Sequence, residues 1–158
     1  MIRKKNFILL MFLFALLQVS LLPYLRLYGT KPDLFLICVV VASLYFDVES
    51  ALLISLLCGI LKDIFSVNVF GLNTFFMPVF SFLLMKVSRK LALEDTPVLC
   101  AAIFLTTFFY AIVSRIALGY LGTVVPFWAF LRISLIESLY TAAIFPLVFL
   151  LIKKIARL

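Results

Sequence analysis

Apolar residues run along this chain in long unbroken blocks, and the polar residues that interrupt the blocks are few enough to be placed one by one. A membrane-crossing helix needs about 20 mainly apolar residues, or about 17–25 once tilt and local thinning are allowed for. Measured against that length, the blocks predict helices at about residues 7–22, 33–46, 50–63, 71–87, 98–118 and 130–152. Pro146 falls inside the last and predicts a kink that neighbouring helices accommodate.

The second and third helices are the least obvious pair, because only Phe46-Asp47-Val48-Glu49-Ser50 interrupts the apolar run from Leu34 to Leu61. A single long helix would hold two carboxylates near mid-membrane, at roughly 2.5–3.5 kcal/mol each. A tight hairpin brings both to the surface at the expense of two short helices. Charge settles the count: with six spans the basic clusters Arg3-Lys4-Lys5, Lys86 with Arg89-Lys90, and Lys153-Lys154 with Arg157 all share one side. The positive-inside bias makes that side cytoplasmic, together with both termini.

Composition agrees. The chain of 158 residues is 66% hydrophobic and 13% charged, with a mean hydropathy of +1.29, against roughly 45–50% and 25% in soluble domains. The expectation is an all-α, polytopic inner-membrane protein, a single transmembrane domain over residues 1–158. The net charge of +7 is explained by basic clusters flanking apolar spans, where they meet anionic lipid. Nucleic acid is not an expected partner, since a DNA reader needs a basic face on a water-exposed element. The basic N-terminus before an apolar run resembles a signal peptide, but the run is too long and no small-x-small site follows it, so it reads as an uncleaved first span.

With no histidine, and with Cys38, Cys58 and Cys100 dispersed through apolar runs, no metal or cofactor site is expected. Nor is an enzyme: there is no Gly-x-Ser-x-Gly, no phosphate-binding glycine loop and no pair of aspartates on facing helices. Asp47 and Glu49, close in sequence, read as solvated residues of a hairpin turn.

The predicted topology gathers the remaining polar residues. Asp33 opens helix two, Lys62 and Asp63 close helix three, and Gly71 and Asn73 open helix four. Arg115 lies about a turn from the end of helix five, and Arg132 and Glu137 lie early in helix six. All fall towards the outer face. Asp63 or Glu137 is expected to pair with Arg115 or Arg132, because an unpaired buried charge is costly. The cluster has two readings: pairs that lock helices together, or a polar groove open to the outside that receives a partner helix or a lipid headgroup. Gly59, Gly71 and Gly119 read as packing or turn positions, and Ser55-x-x-x-Gly59 as a small-residue association pattern. Tyr120 and Trp128 suit anchoring at the outer interface.

Lys31-Pro32-Asp33-Leu34, then Gly59-Ile60-Leu61-Lys62-Asp63, then Gly71-Leu72-Asn73 is a pattern that resembles the bacterial rod shape-determining protein MreD family. Size and hydropathy agree over essentially the whole chain, while the motif match covers about residues 31–74. In the spacer 64–70, Val67 stands where the family often has glycine. The resemblance implies a non-enzymatic subunit of the cell-wall elongation complex, required for rod shape. Its implied partners are MreC, the peptidoglycan synthase formed by RodA and a class B penicillin-binding protein, MreB indirectly, and membrane lipids. It also implies similarity to the S-component fold of energy-coupling-factor transporters. The implied partner or ligand surface comprises Pro32, Asp33, Gly59, Asp63, Gly71 and Asn73. The alternative is a substrate-binding subunit of a vitamin uptake transporter, of S-component type.

The topology is checked with reporter fusions. A periplasm-active reporter is expected to be active after Tyr28 and a cytoplasm-active one after Lys90; either one silent there and active on the opposite side rejects the six-span arrangement.

Overall fold

Where water is scarce, a backbone satisfies its polar groups most readily within a helix, and this chain resolves accordingly. The computed structural model describes residues 4–20, 24, 29–65, 70–88, 96–120, 122 and 126–156. Among them the elements are six helices and no strand: α1 Lys4–Ser20, α2 Leu34–Tyr45, α3 Val48–Phe65, α4 Leu72–Ser88, α5 Thr96–Tyr120 and α6 Phe127–Ala156. Several run past the apolar blocks, α3 to Phe65 and α5 and α6 at both ends, because a helix can continue through polar residues once it is nucleated. Arg3, Arg26, Val67, Arg89, Lys90 and Arg157 lie outside the described residues.

The arrangement centres on α2. Its sequence LFLICVVVASLY is apolar all round, and every residue from Leu34 to Ser43 is buried, as expected of a helix with no polar face to give to water. All five other helices touch it. The chain leaves it through Phe46 in extended conformation and re-enters a helix at Val48, so Asp47 and Glu49 both stay exposed. Ala51 N–H closes the new turn on the Asp47 carbonyl at 2.9 Å.

Contacts at both ends of α2 fix the directions of its neighbours. Gln18, late in α1, bonds the backbone of Pro32 and Leu34, while Phe7, early in α1, lies edge-on to Phe46 with ring centroids 4.9 Å apart. Lys62, late in α3, meets Asp33. Ser43 bonds Ser81 of α4 at 2.8 Å, and Tyr45 faces Phe149 of α6 at 6.0 Å. Successive helices are therefore antiparallel. The ends of α1, α3 and α5 and the starts of α2, α4 and α6 gather at one pole, while Lys86, Lys153 and Lys154, in the last turns of α4 and α6, mark the other.

The outer surface is as apolar as the core. Leu9, Leu16, Phe75, Phe109, Leu147 and Leu150 are each more than half exposed, a distribution that soluble monomers avoid. Two helical stretches, Pro97–Tyr120 and Phe127–Lys154, are long and apolar enough to cross a membrane by themselves.

Gly59 sets the α3–α4 distance. A Cβ added there would lie 2.6 Å from Thr74 Cα and 2.7 Å from the Asn73 carbonyl oxygen, both backbone atoms that cannot swing aside. Gly59→Ala is expected to destabilise the protein by about 1–3 kcal/mol, in the range of overpacked cores. Gly119→Ala meets nothing within 4 Å and is expected to be neutral or to gain up to about 1 kcal/mol from helix propensity. Thermal unfolding of both variants in mild detergent checks the contrast.

Candidate functional site

The first turn of α4 needs acceptors for its free N–H groups, and its N-cap position is Gly71, which has no side chain and holds φ +97°. Asp63, eight residues earlier at the end of α3, takes the role. Its carboxylate accepts from Gly71 N–H at 3.0 Å, Asn73 N–H at 3.1 Å and Thr74 N–H at 2.8 Å. It also accepts from Asn73 Nδ2 at 2.7 Å and Thr74 Oγ1 at 2.6 Å. A buried carboxylate is thus held by five donors and by the positive end of a helix. Glycine at 71 admits the positive φ of the turn, and glycine at 59 admits the close approach that brings Asp63 within reach.

Asp33 does the equivalent for α2 from within the chain. It is the N-cap, accepting from Leu36 N–H at 3.2 Å, and its second oxygen takes a charged hydrogen bond from Lys62 Nζ. Its own N–H donates to Thr141 Oγ1 of α6 at 3.2 Å. Gln18 of α1 completes this junction by donating to the Pro32 carbonyl and accepting from Leu34 N–H, each at 3.2 Å.

Tyr110 of α5 joins the two capping sites. The Lys62 ammonium lies 4.6 Å from the centre of its ring and donates to its hydroxyl at 3.5 Å, and that hydroxyl donates in turn to Asn73 Oδ1. A continuous polar path therefore runs Thr141, Asp33, Lys62, Tyr110, Asn73, Asp63. With Gln18 it draws side chains from α1, α3, α4, α5 and α6 onto the start of α2. Beside it, Arg115 of α5 donates to Glu137 at 2.6 Å and to Ser134 at 3.2 Å, both on α6.

Between these groups lies a cavity of about 410 Å³ lined by Gln18, Val19, Lys31, Phe35, Lys62, Phe65, Leu72, Asn73, Tyr110, Ser114, Arg115, Leu118 and Glu137. The sequence-predicted residues divide between the two structures. Asp33 and Asp63 belong to the capping network, with Gly59 and Gly71 providing its backbone geometry. Pro32 contributes its carbonyl, and Asn73 belongs to both network and cavity. Arg115 and Glu137 form the ion pair and line the cavity.

The expected pairing of Glu137 with Arg115 is present, and two other expectations are corrected. Asp63 does not pair with an arginine, because Gly71 N–H and four donors from α4 already satisfy it. Arg132 is exposed on α6 and, among the described residues, neither lines the cavity nor bonds into the network. Its position five residues before Glu137 turns it to a different side of the helix. Hydropathy overlooked Gln18, Tyr110 and Thr141, whose polar atoms sit inside apolar spans. Gln18, a primary amide in an otherwise apolar stretch of α1, is the one signal that a search for isolated polar residues would have caught.

Compared with known protein families, the chain matches the family model described as rod shape-determining protein MreD over residues 2–155. Neither a curated protein nor a solved structure matches it.

The Asp33–Lys62 pair is open to a double-mutant cycle. Lys62→Met leaves Asp33, 2% exposed, without its counter-charge, and is expected to lower stability by about 3–5 kcal/mol. Adding Asp33→Asn, which keeps an N-cap acceptor while removing the orphaned charge, is expected to recover most of that loss. Unfolding free energies measured in detergent decide, and losses that simply add would show that the two side chains act independently.

Proposed function

The chain belongs to the MreD family, and from that premise we propose that it is a non-enzymatic membrane subunit of the cell-wall elongation complex, its helices crossing the inner membrane together as one domain. As a member of that family it is a rod shape-determining membrane protein. The finer reading is that it binds MreC and, with it, the synthase formed by RodA and a class B penicillin-binding protein, reaching MreB indirectly.

One observation carries the scaffold reading: the polar network ties all six helices to one another around the start of α2 and leaves the lateral surface apolar. Such a bundle is held in a single arrangement from within, so its outer faces are free for other membrane proteins. The antiparallel order of the helices supports six spans with both termini on the cytoplasmic side, where Lys86, Lys153 and Lys154 meet anionic lipid. The shortness of α2 is no obstacle, since its neighbours shield it from lipid on every side. On this reading the pole that carries Pro32, Asp33, Gly59, Asp63, Gly71 and Asn73 faces outward, and those residues shape the partner surface there.

The cavity favours a second reading, a substrate-binding subunit similar to the S-components of energy-coupling-factor transporters, whose ligand would enter from the outer side. The two readings differ in what accompanies the protein.

Affinity purification of the tagged protein in mild detergent, with mass spectrometry of co-eluting proteins and microscopy after depletion, tests both. Recovery of MreC, together with rounding of depleted cells, is the expected result. Recovery of an energising ATPase from cells that stay rod-shaped would reject the scaffold in favour of the transporter subunit.

A further inference from the structure

The cavity exists because the central helix is short. At 1.5 Å per residue, the 12 residues of α2 reach about 18 Å, whereas the 25 of α5 and the 30 of α6 reach about 37 and 45 Å. The bundle is thus hollow beyond the start of α2, and the void is bounded by the longer helices around it. Its volume of about 410 Å³ falls within the roughly 300–1,000 Å³ typical of small-molecule sites.

The charges around the void are unequal. Lys31, Lys62 and Arg115 line it, against the single carboxylate of Glu137; Asp33 sits behind Lys62, its oxygens committed to Lys62 and to the α2 backbone. Arg115 also retains donors. A guanidinium carries five N–H groups, and among the described residues Arg115 gives one to Ser134 and one to Glu137. Glu137 thereby positions Arg115 rather than consuming it. The remaining wall is mixed, with Phe65 and Leu118 lining the same cavity as Arg115. Cationic donors beside apolar side chains, in a bundle whose flanks are apolar, suit an anionic group that carries hydrocarbon with it.

We infer that this cavity binds the phosphoryl headgroup of an anionic phospholipid of the outer leaflet, with Arg115 and Lys62 as the donors to its phosphate oxygens. Glycerol and the first acyl carbons would lie against Phe65 and Leu118. The inference rests on the transmembrane reading of the bundle and not on the identity of its protein partners, so it stands or falls separately from the co-purification.

Native mass spectrometry of the full chain, delipidated in detergent and titrated with phosphatidylglycerol or with diacylglycerol of the same acyl chains, provides the test. The expected result is one phosphatidylglycerol bound per chain with about tenfold preference over diacylglycerol, the factor that a charge-assisted hydrogen bond supports. Arg115→Gln is expected to abolish the preference and Arg115→Lys to keep part of it. Ser114→Phe, which fills the cavity without altering a charge, should abolish it too, while Arg132→Gln, on the exposed side of α6, should leave it intact. Equal binding of the two lipids by the wild-type chain overturns the inference. So does a preference that survives in a Ser114→Phe protein of wild-type melting temperature, or one lost equally in Arg132→Gln. Displacement of the lipid by millimolar inorganic phosphate would also overturn it, by assigning the site to a soluble anion.

Discussion

A helix that begins inside an apolar bundle carries unsatisfied N–H groups to a place where little water can reach them, and each would be expensive to leave bare. Two helices of this chain begin so, α2 and α4, and aspartates meet the need in both: Asp33 from its own N-cap position, Asp63 from the end of the preceding helix. Much of the remaining polar structure follows from those two carboxylates. A buried charge requires compensation, and Lys62 compensates Asp33. The cation then rests on the ring of Tyr110, whose hydroxyl orients Asn73, whose amide completes the shell around Asp63. What starts as helix capping becomes a strut that joins distant segments of the chain.

The same constraint accounts for the glycines. Asp63 can cap α4 only if α3 and α4 lie nearly in backbone contact, which requires the missing side chain at Gly59. The chain must also turn sharply into α4, which the positive φ of Gly71 allows. A pattern of glycines, aspartates and an asparagine spread over some forty residues is thus one mechanical device, a clamp between two helices with a branch to the other four. Its chemistry is fully engaged in holding the fold. The group with donors to spare is the neighbouring Arg115, which lines the cavity. Architecture is therefore carried mainly by the capping residues and ligand contact mainly by Arg115, with Lys62 serving both.

For a shape-determining membrane protein this division has a use. A bundle braced at one pole by charged hydrogen bonds and filled through its middle by an apolar helix resists shear between its helices. It can present a constant outer face to other membrane proteins while its lateral surface remains indistinguishable from lipid. The sparse polar content is then a requirement of the job: each buried polar group has to be bonded, and a longer list would be harder to satisfy in hydrocarbon.

The sequence alone determined that the chain is helical, that it belongs in a membrane, and roughly where its helices lie, because long apolar blocks admit few other structures. It also placed Asp33, Asp63, Asn73, Arg115 and Glu137 at one pole, since alternating helices leave little freedom about which ends meet. Only the tertiary structure decided the pairings. Whether Asp63 would face an arginine or the start of α4 depended on the approach of two helices to within backbone contact at Gly59, and Arg132 was excluded by the side of α6 on which it sits. Gln18, Tyr110 and Thr141 were hidden for a related reason. Hydropathy averages over a span, whereas a hydrogen bond depends on the rotation and height of one side chain, and only packing sets those.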